Sequence, residues 1–334
     1  DTAMIQDDVR YAELAEGAVI PMVNRLTDNL NAHRDVQVAD TAAVWVDDGG
    51  TAEHFTIRTA SLSSSAFEER FLSADTGIHR SPRVLRLDEG WVAAWYRQEG
   101  ETATLQMRRF DDDSLGDTIS LPWQVPAESF AFEVRGERAY FAWVDEGFAM
   151  LAVSDLAGAA LGAPTAISGR NTALPGEIDI AFNPPDIVLD AGVGLVTWGL
   201  LVDSIRYEVR SRIVSADGQP TRAERVVSQA PLRGRRPTVI AYAGGYAVAY
   251  RAMLIDRSSD LRLAFVHGSE GTVVAEYSLG VATFDGLRAG VAVDDAGAIA
   301  VGWANAENNG NPVTQIRGAR LECGAAWLRC GVMP

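Results

Sequence analysis

Short arginine-bearing runs recur along the chain: HRSPR at residues 79–83, SGR at 168–170, LRGRRP at 232–237 and DGLR at 285–288. They supply Arg80, Arg83, Arg170, Arg233, Arg235, Arg236 and Arg288. A guanidinium presents a planar fork of donors that matches the two oxygens of a carboxylate, sulfate or phosphate. If the fold gathers these residues, they form an anion-binding face. The competing reading is that each pairs with a nearby carboxylate and does nothing more. Acidic residues do outnumber basic ones, 45 to 29, for a formal net charge of −16. That balance repels the phosphates of a nucleic acid, so no nucleic-acid partner is expected.

Other chemistry is thinly represented. All the basic residues are arginine, because the sequence has no lysine. This excludes a P-loop lysine, a Schiff base and a Ser–Lys dyad. His33, His54, His79 and His267 are scattered without metal-ligand spacing. His79 precedes a strand, where a solvated loop position is expected. No G-x-S-x-G elbow occurs. SADGQPT at 215–221 sets its glycine one residue early for an Asp box of the form S-x-D-x-G-x-T and reads as a turn. Asp111, Asp112, Asp113 and Asp117 suggest calcium, a hard ion that takes oxygen ligands. They lack the spacing and the distal glutamate of an EF loop, so no cofactor or metal is expected. An acid pair drawn from distant segments would escape motif reading; Asp88, Glu133, Asp190 and Asp294 are its candidates. Cys323 and Cys330 suit a disulfide across a short terminal hairpin, the alternative being two free thiols.

The elements that must position these residues are legible as a repeat. AAVW ends at Trp45, VAAW at Trp95, YFAW at Trp143, LVTW at Trp198, AVAY at Tyr250 and AVGW at Trp303, at intervals of 50, 48, 55, 52 and 53 residues. Pro82, Pro185 and Pro237 each stand thirteen residues before an anchor, where a strand can begin without a ladder donor. Gly90, Gly192, Gly244 and Gly245 mark a tight turn before the anchor strand. A third strand carries Arg58, Arg108, Arg210, Arg262 or Arg317, twelve to fourteen residues after an anchor, and a turn such as SDLAG or HGSEG leads into a fourth. Four antiparallel strands per unit of about fifty residues make one propeller blade. The fold class expected is all-β, a six-bladed β-propeller of four-stranded antiparallel blades spanning 33–334. Residues 1–32 form an N-terminal extension that supplies a ring-closing strand. The competing count is seven blades, with 1–32 as a degenerate seventh.

The unit G-[GW]-hydrophobic-V-A-W, a polar gap, I-x-x-R-hydrophobic and an acidic turn resembles the repeat of secreted bacterial (myxobacterial-type) β-propellers of unassigned activity. The resemblance covers about residues 33–330. It implies a propeller and export, and it carries over no functional residue. Turns such as SDLAGAALG depart from the cleaner family pattern.

In a propeller the loops leading into the first strands gather at one face, which would join the seven arginines. The run 166–185 is longer than its counterparts and suits a lid or recognition loop. The function expected is a secreted, non-catalytic binding or scaffold module that recognises an anionic glycan, a carboxylate ligand or a partner protein. The alternatives are a hydrolase or lyase acting on an acidic polysaccharide or ester, and a structural surface or appendage subunit. Location is expected to be secreted, periplasmic or cell-surface, with a lipid anchor through a residue before Asp1 as one route. No membrane span is expected, since no apolar run approaches the roughly 20 residues required.

Overall fold

The computed structural model describes residues 10–13, 22–25, 33–49, 55–62, 69–73, 77–100, 102–126, 130–169, 185–203, 206–229, 233–253, 259–282, 288–294, 296–308, 312–323 and 330–333. The fold class is the six-bladed β-propeller. Each blade is an antiparallel sheet of four strands in chain order. The chain divides into two compact units, residues 1–127 with 155–160, and residues 128–154 with 161–334. Among the described residues no helix is long and apolar enough to cross a membrane.

In the first unit, β1 (Arg10–Glu13) and β2 (Met22–Arg25) form a two-stranded sheet of their own. The first blade is β3 (His33–Ala39), β4 (Ala42–Asp47), β5 (Thr56–Ser61) and β6 (Arg70–Phe71). The second is β7 (Ile78–Arg86), β8 (Trp91–Glu99), β9 (Thr102–Phe110) and β10 (Ile119–Pro126). Trp95 is fully buried and packs with Val44, Ile57 and Leu72 of the first blade. Gly90 turns the first hairpin of the second blade at φ +72°, and a Cβ there would lie 2.4 Å from the Phe110 carbonyl oxygen, so only glycine fits.

The second unit opens with β11 (Ala131–Arg135), β12 (Arg138–Asp145), β13 (Phe148–Asp155) and β14 (Thr165–Ala166). The fourth blade is β15 (Asp186–Asp190), β16 (Val193–Asp203), β17 (Arg206–Ser215) and β18 (Arg225–Val226). The fifth is β19 (Arg233–Tyr242), β20 (Gly245–Met253), β21 (Ser259–Val266) and β22 (Val273–Val281). The sixth is β23 (Gly290–Val293), β24 (Ile299–Asn308), β25 (Pro312–Cys323) and β26 (Cys330–Met333). Each anchor of this unit from Trp198 onward joins a cluster with the preceding blade: Trp198 with Tyr140 and Leu151, Tyr250 with Leu195 and Val209, Trp303 with Leu261 and Phe265. Large aromatics at one repeated position thus fill the space between sheets. The register of the last blade sets Cys330 opposite Cys323.

The third-strand arginines do not all share one register. Trp45, Trp198, Tyr250 and Trp303 stand opposite Arg58, Arg210, Arg262 and Arg317. Trp95 stands opposite Gln106, and Arg108 lies two residues further on. The hairpin of the second blade is two residues shorter than that of the first, which shifts the partner while keeping every residue on its face. Arg108 therefore matches Arg212: one donates to the Leu72 carbonyl and the other to the Ile167 carbonyl, each closing onto the fourth strand of the preceding blade.

Candidate functional site

The first strands of the second unit run side by side, β11 against β15, β15 against β19 and β19 against β23. Their leading ends are tied by a compact polar network. Asp186, the first residue of β15, accepts the Val239 amide at 2.8 Å through Oδ2. Its Oδ1 lies 3.6 Å from Nη1 of Arg288. Arg288 also donates to the Pro185 carbonyl, and the Thr238 hydroxyl donates to the Ala289 carbonyl at 2.9 Å. Pro185 lacks an amide hydrogen, so it opens the strand without leaving a donor unpaired and delivers Asp186 to this position.

Glu133, on β11 opposite Tyr140, is half-buried beside this network. Its carboxyl is pushed up to about 8, first by burial and next by the negative charge of Asp186; the Val134 amide and Arg135 oppose the shift. Burial and the neighbouring Asp186 charge thus favour the protonated form of Glu133, while Asp186 is ion-paired with Arg288. Glu133 was among the acid candidates of the sequence. Its partner is Asp186, not Asp190, which sits at the hairpin end opposite Val193. Asp88 is exposed. Asp294 accepts the Ala296 and Ala298 amides and binds Arg320, so it caps a turn.

The arginines separate into groups. Arg235 and Arg236 flank a bulge in β19, and Arg235 lies over the Tyr207 ring at 3.5 Å. Arg235 stands opposite Arg251, the residue after anchor Tyr250. Arg251 is fully buried; burial and, next, the Arg236 charge bring its guanidinium down to about 10. Arg233 lies on the same strand, opposite Met253. Arg288 belongs to the Asp186 network. Arg80 and Arg83 belong to the first unit, where Arg80 covers the Phe55 ring at 4.8 Å and Arg83 donates to the Pro82 carbonyl at 2.9 Å. Arg170 and most of the 166–185 run, residues 170–184, fall outside the described residues, as does His54.

His79 departs from the solvated position expected of it. It is fully buried in β7, where Nε1 of Trp95 donates to its Nδ1 at 3.1 Å and to Oε1 of Gln106 at 2.9 Å. Burial follows from strand alternation, which turns residue 79 inward. The acidic run at 111–117 is a turn. Asp111 accepts the Asp113 and Ser114 amides and the Ser114 hydroxyl. In SADGQPT the Ser215 hydroxyl accepts the Asp217 and Gln219 amides. No group of three or more metal-ligating side chains occurs among the described residues.

Two residues of this site were missed in sequence, and each had a signal. Asp186 follows Pro185 where Arg83 and Thr238 follow the other two phased prolines. Arg251 is the one charged residue directly after an anchor; the others are Val46, Tyr96, Val144, Gly199 and Ala304.

No protein-family model and no curated protein sequence matches the chain. Solved structures do. A protein of unknown function from Dyadobacter fermentans is similar at 12% identity and a TM-score of 0.53, over 87% of this chain and 94% of that one. A polysaccharide lyase described as an ulvan lyase aligns at 10% identity and a TM-score of 0.56, over 86% and 79%. TolB from Acinetobacter baumannii aligns at 12% identity and a TM-score of 0.48, over 84% and 60%. At such identities the likeness shows the propeller fold and nothing finer.

Proposed function

We propose that the protein cleaves an acidic polysaccharide, as a hydrolase or a lyase, with Glu133 as the proton donor. The observation that carries this reading is the Glu133–Asp186 pair, in which burial and, next, the Asp186 charge push the Glu133 carboxyl up to about 8. Breaking a glycosidic bond expels an alkoxide unless its oxygen is protonated as it leaves, and a carboxyl with a pKa near the working pH does this best. Asp186, fixed by Arg288 and the Val239 amide, supplies the second charge of an acid/base pair. Arg235, Arg236 and Arg288 of the second unit would capture the polymer's anionic groups. The similarity in fold to a polysaccharide lyase supports the choice of class.

The non-catalytic alternative, capture of an anionic glycan without turnover, is favoured by the arginines around the β19 bulge. It predicts binding with no cleavage. Export completes the proposal. It rests on the resemblance of the repeat to secreted myxobacterial-type propellers and on the register that sets Cys323 opposite Cys330.

The test is incubation with polygalacturonate, alginate and a sulfated glycan, following reducing ends and unsaturated uronate. Wild type is expected to cleave at least one polymer. Glu133→Gln should then lose on the order of a hundredfold or more in rate, the usual worth of general acid–base catalysis. If wild type cleaves none, or Glu133→Gln cleaves as fast, the catalytic reading is wrong.

A further inference from the structure

We propose that Thr197 and Ser211 bind an internal water between the fourth and fifth blades, in a polar row that begins at Asp186. The site stands whether or not the protein cleaves a polymer. It bears on that reading because Asp186 is the second carboxyl of the proposed pair.

The strand register sets the row. Asp186 stands opposite Thr197, Thr197 opposite Ser211, and Ser211 opposite the exposed Arg225. Opposite residues of an antiparallel pair put their side chains on one face of the sheet. In the other blades the second-strand member of this row is Val44, Ala94, Ala142, Ala249 or Gly302. The first-strand member is polar more widely, as in Gln37, Arg83 and Thr238. Polarity therefore stops short of the second strand elsewhere and enters the interior only in the fourth blade.

Thr197 and Ser211 are fully buried, and neither hydroxyl has a hydrogen-bond partner among the described residues. Their surroundings are apolar. Leu195, Val209 and Ile213, two residues away along the same strands and so on the same face, pack with Val239, Val248 and Tyr250 of the fifth blade. Elsewhere the fold satisfies such groups locally. Thr59, the third-strand member of the row in the first blade, donates to the Ala43 carbonyl at 2.9 Å. The buried hydroxyls of Ser73, Ser168 and Ser228 accept the amides of Ile57, Ala149 and Val209. Ser154 also lacks a partner, but only in the fourth blade are two such hydroxyls cross-strand neighbours among the described residues.

A buried hydroxyl without a partner is costly, and the usual remedy is an internal water bonded to several polar groups. The spacing suits one. Opposite side chains on paired strands start about 5 Å apart at Cβ, which is the span that a single bridging water covers with two ordinary hydrogen bonds. Each hydroxyl can donate or accept, so the water is free to orient as the row requires. Through Thr197 it lies one strand from Asp186. It gives that carboxylate a polar backing where every other blade presents valine, alanine or glycine.

The experiment joins a high-resolution crystal structure to urea melts. The structure should show a water peak within about 3 Å of both Thr197 Oγ1 and Ser211 Oγ. Thr197→Val, which keeps the volume, and Ser211→Ala should each lower the urea midpoint. The double variant should lower it by clearly less than the two losses combined, since either change already releases the shared water. No peak at that place, or a direct bond between the two hydroxyls, overturns the site. Strictly additive losses do the same. So does a midpoint raised by Thr197→Val, which marks a hydroxyl that was merely unpaired. The two proposals fail separately. Bound water and coupled losses in a protein that cleaves no polymer leave the water site standing and remove the enzyme. Cleavage lost in Glu133→Gln, with Thr197→Val more stable than wild type, does the reverse.

Discussion

Two sets of arginines in this molecule have opposite surroundings. Three of the third-strand set are clamped by acids. Arg58 binds Asp47 at 2.6 Å and Glu69 at 2.9 Å, Arg210 binds Glu208 and Glu224, and Arg262 binds Asp260 and Glu276. Each clamp joins the third strand of a blade to a glutamate on or beside the fourth. The β19–β20 set is arranged differently: Arg235 faces Arg251, and Arg236 disfavours the charge of Arg251. Identical side chains thus serve as rivets where the repeat supplies carboxylates and stand beside one another where it supplies arginines. Removing a rivet should weaken the fold.

The largest effect expected on stability is in Arg58→Ala. Asp47 is fully buried, and stripping its partner leaves an uncompensated buried charge, a loss of about 3 kcal/mol or more by denaturant melts. A loss under about 1 kcal/mol would show the clamp to be ornamental.

Next is a pH effect on Glu133. Its carboxyl is raised in the folded chain from 4.5 to about 8, so the folded state holds more protons than the unfolded one across that window. Stability therefore falls as pH rises through it, by at most about 1.4 kcal/mol per pH unit. Glu133→Gln should flatten this slope, gaining on wild type between pH 5 and pH 9. A parallel pair of curves would mean that Glu133 ionises as freely as in the unfolded chain.

A smaller and opposite effect is expected for Arg236→Asn. It relieves the positive-φ strain at residue 236, so its stability should match or exceed that of wild type, by up to about 1 kcal/mol. A clear loss would move Arg236 into the rivet class. Smallest of all is Arg138→Ala. Its pair with Asp217 is largely exposed, at 41% and 75%, and no shift in melting point is expected.

The blades were legible because one constraint repeats. Each sheet must bury an aromatic against its neighbour, so Trp or Tyr recurs at near-constant spacing, and a hairpin needs its glycine and its phased proline. Ala243 and Gly244, both at positive φ, show how tightly that turn is specified. The partner of Trp95 was less legible, since a hairpin two residues shorter than that of the first blade moves Gln106 into the arginine's place and leaves the alternation unchanged. His79 was misplaced for a related reason: a lone histidine at a strand's edge reads as polar, and only the sheet shows which face it takes.

The site was half legible. The arginine runs and Glu133 stood out by type, but Asp186 and Arg251 are single residues in ordinary-looking segments, and Asp186 lies 53 residues beyond Glu133. The sequence by itself determined the class of fold, the blade repeat, the turns and the acidic, lysine-free composition, because these follow from local periodicity and residue counts, while the choice of six blades over seven came from the structure. Only the tertiary structure decided which charges meet. Charges from different blades approach when first strands lie side by side, and that approach, with the burial accompanying it, raises Glu133, while Arg236 and Arg251 come together within the fifth blade through the pairing of its first two strands.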